Sequence, residues 1–172
     1  IKLFPEYENL IRIYYGRWKE MLGGPINLSV DVLKRIKKEN KLNVFALTNW
    51  SAETFPTALK KFDFLNLFDG IIVSGEEKTR KPFEKIYQIA LDRFKIEATK
   101  TIFIDDNLRN IRAAEKLNIK GIHFKDPNKL VIELKNFCIK HKKYLHKFAI
   151  KNNIKWFHDT TNDDLRFLRN RI

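Results

Sequence analysis

Four short apolar runs alternate with helical stretches along the chain, and this alternation restricts the fold more than any other feature. The runs are Asn43–Leu47, Gly70–Ser74, Thr101–Asp105 and Gly121–Phe124, each of a length that suits one buried strand. Strands that alternate with helices build a parallel sheet through right-handed crossovers. The sequence therefore predicts an α/β fold with a doubly wound parallel sheet.

Apolar residues at three- and four-residue spacing predict the helices around these strands. Pro5 suits the first turn of the first helix, and Gly23-Gly24-Pro25 ends it. Ser29 is the expected N-cap of the second helix. The predicted helices span Pro5–Leu22, Val30–Glu39, Ala52–Phe62, Pro82–Phe94, Asn107–Leu117 and Pro127–Cys138.

Two adjacent aspartates, Asp105 and Asp106, end the third apolar run. Side chains just past the carboxyl end of a parallel strand lie where open α/β sheets bind ligands. Two carboxylates at that place repel each other unless a cation or a proton lies between them, and Mg²⁺ is a hard cation that prefers oxygen ligands. The pair predicts a magnesium site. The alternative is that Asp106 only caps the following helix while Asp105 is solvated.

Polar side chains also follow the first two runs. Thr48 and Asn49 come directly after the first, and a hydroxyl and an amide beside a helix N-terminus suit a phosphate oxygen. Lys81 precedes Pro82, where an ammonium can neutralise a phosphate or a carboxylate nucleophile. The plainer explanations are a helix cap at Asn49 or Ser51 and an ordinary exposed lysine. The order of these residues across three successive crossovers favours one shared site.

The chain is strongly basic, and the basic charge is concentrated at its C-terminal end. The net charge is +13 over 172 residues, and residues 129–172 carry 11 Lys and Arg against four Asp and Glu. A basic segment with interleaved aromatics could bind nucleic acid. Because lysine is frequent throughout the chain, we prefer a solvated surface and expect no nucleic-acid partner.

Composition excludes several other classes of protein. Hydrophobic residues make up 44% and aromatic residues 13% of the chain, which excludes a disordered polymer. Cys138 is the single cysteine, so the chain holds no internal disulfide. No apolar run is long enough to cross a membrane. We expect a cytoplasmic protein with no membrane partner, and the oligomeric state stays open.

Three segments together carry a resemblance to a known family. They are Ala46–Ser51 (Ala-Leu-Thr-Asn-Trp-Ser), Ser74–Tyr87 with Lys81-Pro82, and Phe103–Ala114 with Asp105-Asp106-Asn107. With this series the chain resembles the haloacid dehalogenase (HAD) superfamily, in its phosphatase-like branch with a small helical cap. The resemblance covers about Pro5 to Leu134 and implies a Rossmann-like core.

The resemblance implies roles for the polar residues after the first two strands. Thr48, with Asn49 beside it, would hold the transferring phosphoryl group. Lys81 would orient the nucleophile and offset negative charge. Trp50 would lie near the mouth of the pocket, although core packing explains this residue equally well.

The resemblance also implies a magnesium cofactor. Asp106 matches the more constant metal ligand of the family, and Asp105 matches the second position. Asn110 stands where many members carry a further aspartate, so its part in metal binding is open.

The family's nucleophile is an aspartate after the first core strand, with a second aspartate two residues later, and no such pair precedes Thr48. The resemblance places that strand between those that end at Thr48 and Asp105. We therefore expect an N-terminally truncated chain with a gap in its sheet, unpaired backbone groups beside the gap and no activity on its own. Asp159, within Ile154–Thr161, is the alternative nucleophile of a permuted arrangement.

From the resemblance we predict three parts of the chain: residues 1–24 as the last helix of the cap, 25–138 as the core without its central strand, and 139–172 as a basic extension. The predicted function is Mg²⁺-dependent hydrolysis of a small phosphorylated metabolite through an aspartyl-phosphate. A 2-haloacid dehalogenase, a sugar-phosphate mutase and a non-catalytic relic or binding module are the alternatives.

Overall fold

The computed structural model describes residues 1–38 and 42–140. The helices are α1 Glu8–Gly16, α2 Trp18–Met21, α3 Asn27–Lys38, α4 Phe55–Lys61, α5 Ser74–Glu77, α6 Glu84–Phe94, α7 Leu108–Glu115 and α8 Pro127–Lys140. The strands are β1 Phe45–Thr48, β2 Gly70–Val73, β3 Ile102–Asp105 and β4 Lys120–His123. Strands and helices alternate as the sequence predicts, which confirms the α/β fold class.

The four strands form two parallel pairs rather than one continuous sheet. β1 pairs with β2, with Thr48 opposite Val73, and β3 pairs with β4, with Asp105 opposite His123. Within residues 1–38 and 42–140, no strand joins β1 to β3, so each keeps one open edge. This is the gap predicted between the strands that end at Thr48 and Asp105.

One apolar core joins the two strand pairs. Its buried members come from β2, from α6 and α7, and from the turn before β4: Ile72, Ile86, Tyr87, Ala114 and Ile119. Leu47 of β1 and Phe103 of β3 pack against this cluster, and the Tyr87 ring meets the Phe103 ring edge-on at 5.4 Å. Burial of each large apolar side chain contributes about 1.5–3 kcal/mol. The packing of α6 therefore holds β1 and β3 together without a shared hydrogen-bond ladder.

A second apolar cluster lies beneath the loop after β1. Phe55, Ala58 and Val73 are buried in it, and Trp50 packs against them. The Trp50 ring lies 5.6 Å from the Phe55 ring, and its Nε1 donates to Thr54 Oγ1 at 3.0 Å. Core packing thus accounts for Trp50, and this packing fixes the loop that carries the predicted phosphate ligands.

The two N-terminal helices differ from the predicted ones. The first is interrupted at Arg17, which has a non-helical backbone conformation between α1 and α2. The second begins at Asn27, because the Ile26 carbonyl already accepts from the amides of Ser29 and Val30. Ser29 therefore lies inside α3 and is not its cap, and within the described residues its buried hydroxyl has no partner.

The compact unit that carries the candidate site spans Ile1–Val131. The three predicted parts of the chain stay predictions. Residues 141–172, which include Asp159 and most of the predicted extension, lie outside the described residues, as does Glu39. In the described ranges, no helix has both the length and the apolar character needed to cross a membrane.

Candidate active site

Lys81 links the ends of the two strand pairs. Its Nζ donates to the backbone carbonyl of Leu47 in β1 at 2.7 Å and to Asp105 Oδ2 at the end of β3 at 2.7 Å. The residues predicted from three separate crossovers therefore lie at one edge of the fold, the carboxyl ends of its parallel strands. Open α/β sheets bind ligands at this edge.

The pair formed by Lys81 and Asp105 is a buried ion pair. The side chains are 11% and 5% exposed, respectively. Taking both charges out of water is costly, and only short contacts with further hydrogen bonds offset that cost. The Leu47 carbonyl supplies one such bond, at the edge of β1 that has no strand beside it.

One oxygen of the Asp105 carboxylate accepts two hydrogen bonds from the start of α7. Asp105 Oδ1 accepts from the Asn107 amide at 2.8 Å and from Asn110 Nδ2 at 2.9 Å. Asp105 is thus buried and hydrogen-bonded rather than solvated. The cap of α7 is Asn107, whose Oδ1 accepts from the Arg109 amide at 3.0 Å. The alternative in which Asp106 caps this helix is therefore wrong.

Asn110 is itself fixed from α6. The Tyr87 hydroxyl donates to the Asn110 backbone carbonyl at 2.9 Å. Burial raises the pKa of the Tyr87 phenol, and the nearby Asp105 carboxylate raises this pKa further. Tyr87 therefore remains a protonated donor at neutral pH. The orientation of Asp105 depends on a chain of contacts that reaches the core.

The donor set at Asp105 and Asp106 fits Mg²⁺ better than a metal that needs several protein ligands. Among the described residues, no group of three or more His, Cys, Asp and Glu side chains could hold a metal. Mg²⁺ commonly uses one or two carboxylates and completes its shell with waters and substrate phosphate. Asp106 is exposed, and Asp105 keeps lone-pair capacity beyond its three hydrogen bonds.

Asn49 contacts Lys81 through both of its polar atoms. Its Oδ1 accepts from the Lys81 amide at 2.9 Å, and its Nδ2 donates to the Lys81 carbonyl at 2.9 Å. The Lys81–Pro82 peptide bond is cis. Thr48, the other predicted phosphate ligand, is half-buried at the end of β1.

Ser74 and Gly75 hold the loop after β1 from the other side. Ser74 Oγ accepts from the Trp50 amide at 3.0 Å and donates to the Trp50 carbonyl at 3.2 Å. The Gly75 amide donates to the same carbonyl at 3.0 Å. A Cβ added at Gly75 would lie 2.4 Å from the Ala52 nitrogen, so only glycine permits this approach. We did not predict a role for these two residues, although small residues after β2 were the available signal.

Known proteins place the chain in a family. The profile of the haloacid dehalogenase-like hydrolases matches residues 2–124. The chain belongs to this family. The HAD resemblance and the Rossmann-like fold class predicted from the motifs are therefore confirmed.

Two curated relatives come from fungi of the genus Aspergillus. The sesquiterpene phosphatase astK of Aspergillus oryzae is 34% identical over 103 residues, which cover 60% of this chain and 53% of that protein. The drimenol cyclase drtB of Aspergillus calidoustus is 30% identical over 95 residues, which cover 55% of this chain and 18% of that protein. The chain therefore spans about half the length of the first relative and a smaller part of the second.

Solved HAD structures share the fold. A HAD family enzyme from Bacteroides thetaiotaomicron, solved with magnesium and inorganic phosphate, superposes with a TM-score of 0.59 at 23% identity. The match covers 66% of this chain and 60% of that protein. At this level of identity the likeness establishes the α/β architecture alone.

Proposed function

We propose that the protein containing this chain is a Mg²⁺-dependent phosphatase of small phosphorylated metabolites. The observation that carries the proposal is the Lys81 ammonium, fixed between the open edge of β1 and the Asp105 carboxylate. A fixed cation at the carboxyl ends of parallel strands stabilises negative charge that develops on a phosphoryl group. A phosphatase relative and a magnesium–phosphate complex of a related fold support the same chemistry.

Four of the five predicted site residues have a direct part in this proposal. The Thr48 hydroxyl donates to a phosphoryl oxygen, and Lys81 offsets the charge of the nucleophile and the phosphoryl group. Asp106 and Asp105 would hold Mg²⁺, which when bound screens the negative charge of the phosphate. Asn49 was predicted to bind substrate, but both polar atoms of its side chain bond the Lys81 main chain.

β1 and β3 each have an open edge within the described residues, and we propose that the nucleophilic aspartate is carried on a strand that fills the slot between them. A carboxylate at the end of that strand would lie beside the Lys81 ammonium. Its oxygen would bond to phosphorus while the ester P–O bond breaks, and the family's second aspartate, two residues after the nucleophile, would give a proton to the leaving alcohol oxygen. Water would then cleave the acyl phosphate to inorganic phosphate and restore the carboxylate.

We propose phosphate esters of apolar alcohols as the substrate class. The sesquiterpene phosphatase relative supports this choice. Apolar side chains of α1 and α2 that are more than half exposed, among them Leu10, Ile13 and Met21, could contact such an alcohol.

The test is a turnover assay on the full-length protein with farnesyl monophosphate, a hexose phosphate and 2-chloropropionate. We expect phosphate release from farnesyl monophosphate with Mg²⁺ and none after chelation by EDTA. Lys81→Ala should lower kcat by about a hundredfold or more. Lys85→Ala, an exposed lysine on α6, is the matched control and should retain activity.

Three other outcomes would overturn the proposal. Halide release from 2-chloropropionate without metal would identify a dehalogenase. Isomerisation of the hexose phosphate without phosphate release would identify a mutase. Absence of any turnover in the full-length protein, with retained binding of inorganic phosphate, would identify a binding module.

A further inference from the structure

Both polar atoms of the Asn49 side chain bond the main chain of one residue, Lys81, which lies 32 positions away in sequence. Its carbonyl oxygen and its amide nitrogen each bond the Lys81 main chain at 2.9 Å. Because both the N–H and the C=O of Lys81 are held, the direction of its main chain is fixed as well as its position. Asn49 makes this contact from an exposed position, where a polar side chain has no structural need for two protein partners.

The position of the Lys81 main chain decides where its ammonium can lie. Lysine has a flexible four-carbon stem, so an unrestrained main chain would spread the ammonium over many positions. In the structure the ammonium makes two hydrogen bonds of 2.7 Å, to Leu47 and to Asp105. Both acceptors can be reached at once only from a narrow range of main-chain positions.

The base of Asn49 is itself rigid. Thr48 before it ends β1, and Trp50 after it is hydrogen-bonded through its main chain to Ser74 and Gly75. Asn49 therefore ties the Lys81 main chain to β1, while the Lys81 side chain reaches Asp105 in β3. The Lys81 side chain contacts both strand pairs, and Asn49 fixes the main chain from which this side chain extends.

We propose that Asn49 is a positioning residue for Lys81. Asn49 sets the place of the ammonium by holding the Lys81 main chain, and it does not contact phosphate. The inference rests on the proposed function in one respect, that the Lys81 ammonium serves the reaction. The geometry accounts for an asparagine here, because an aspartate lacks the donor and an alanine lacks both groups.

A double-mutant cycle in the full-length protein tests this role. The variants are Asn49→Ala, Lys81→Met and their combination, assayed with Mg²⁺ and farnesyl monophosphate. Asn49→Ala should lower kcat by about ten- to a hundredfold, because small misplacements of a catalytic group have effects of this size. Its KM should stay within about twofold of the wild-type value. Asn66→Ala, an exposed asparagine outside the site, is the matched control.

The combination decides between positioning and direct contact. If Asn49 acts through Lys81, adding Asn49→Ala to Lys81→Met causes no further loss, because interacting residues are not additive. Losses that multiply, or a large rise in KM with kcat unchanged, would show that Asn49 contacts the substrate, and would overturn the proposal. Asn49→Asp is nearly isosteric and cannot donate to the Lys81 carbonyl, so it should behave like Asn49→Ala.

A second measurement does not depend on turnover. The NMR signal of the Lys81 Nζ group should move towards the position of exposed lysines in Asn49→Ala and stay in place in Asn66→Ala. An unchanged signal in Asn49→Ala would overturn the positioning role even if the protein is a phosphatase. A shifted signal in a protein without phosphatase activity would support the positioning role while the proposed function fails.

Discussion

At the scale of single residues, the buried charge of Asp105 determines much of the site. Among the residues that the structure describes, its carboxylate has one cationic partner, Lys81, and two neutral donors, the Asn107 amide and Asn110 Nδ2. Neutral donors can orient a carboxylate, but only a cation offsets its charge in a buried place. The stability of the strand ends therefore depends on Lys81 independently of any reaction.

Lys81→Met should lower the free energy of unfolding by about 3 kcal/mol, because it leaves the Asp105 carboxylate buried without a cation. Equilibrium denaturation in urea measures this change. Adding Asp105→Asn to Lys81→Met removes the orphaned charge and should recover part of the loss. A loss below about 1 kcal/mol for Lys81→Met would mean that water reaches Asp105 and that the pair is not buried in solution.

Asn110→Asp should destabilise the protein at pH 7 by about 1–3 kcal/mol, because a second carboxylate would replace the donor 2.9 Å from Asp105 Oδ1. The melting temperature should recover when Mg²⁺ is added, or when the pH is lowered enough to protonate one carboxylate. Asn66→Asp, at an exposed site, should leave the melting temperature unchanged. An Asn110→Asp protein that melts with the wild type in EDTA would contradict this prediction.

At the scale of elements, Asp69 joins α3 to the start of β1 and β2. Its carboxylate accepts from Lys37 Nζ at 2.5 Å and from the Val44 amide at 2.7 Å, and its own amide donates to the Val44 carbonyl at 2.8 Å. The hydrogen bond from Lys37 is the main cause that lowers the pKa of Asp69, followed by the bond from Val44.

Asp69→Asn should lower the free energy of unfolding at pH 7 by up to about 1 kcal/mol, since it removes a partly exposed ion pair. A carboxylate with a lowered pKa in the folded state stabilises the fold above its unfolded pKa, and this contribution is lost as the pH falls through the folded value. The gap between wild type and variant should therefore close below about pH 4. Thermal melts across pH 2–7 measure it, and a gap that stays constant would exclude the ionic contribution.

Gly75→Ala should displace the loop that follows β1, because the new Cβ would meet the Ala52 backbone nitrogen at 2.4 Å. Backbone atoms cannot rotate away as a flexible side chain can, so we expect a loss of about 1–3 kcal/mol in stability and a loss of activity. Gly24→Ala is the matched control, because no atom lies within 4 Å of its added Cβ. Equal melting temperatures for the two variants would contradict the tight approach at Gly75.

At the scale of the whole molecule, the sequence predicts the positions of the strands better than it predicts helix boundaries or contacts between residues far apart in sequence. Apolar runs located β1 to β4 within a few residues, and polar residues that follow the first three runs lie at one edge, because parallel strands end at the same edge. The roles assigned to these residues stay predictions. The break at Arg17 and the early start of α3 were missed, since both depend on backbone contacts without a residue signature. The contact of Asn49 with Lys81 was missed because it joins residues 32 positions apart.

The split between the two strand pairs affects how readily this chain self-associates in solution. β1 and β3 each present an edge that lacks a strand neighbour within the described residues, and Lys81 covers one carbonyl of the first. Open edges recruit extended segments from other molecules. Light scattering of this chain should therefore show particles that grow with protein concentration. A peptide that fills the slot should act as a solubiliser, and handling at low concentration should keep the chain monodisperse.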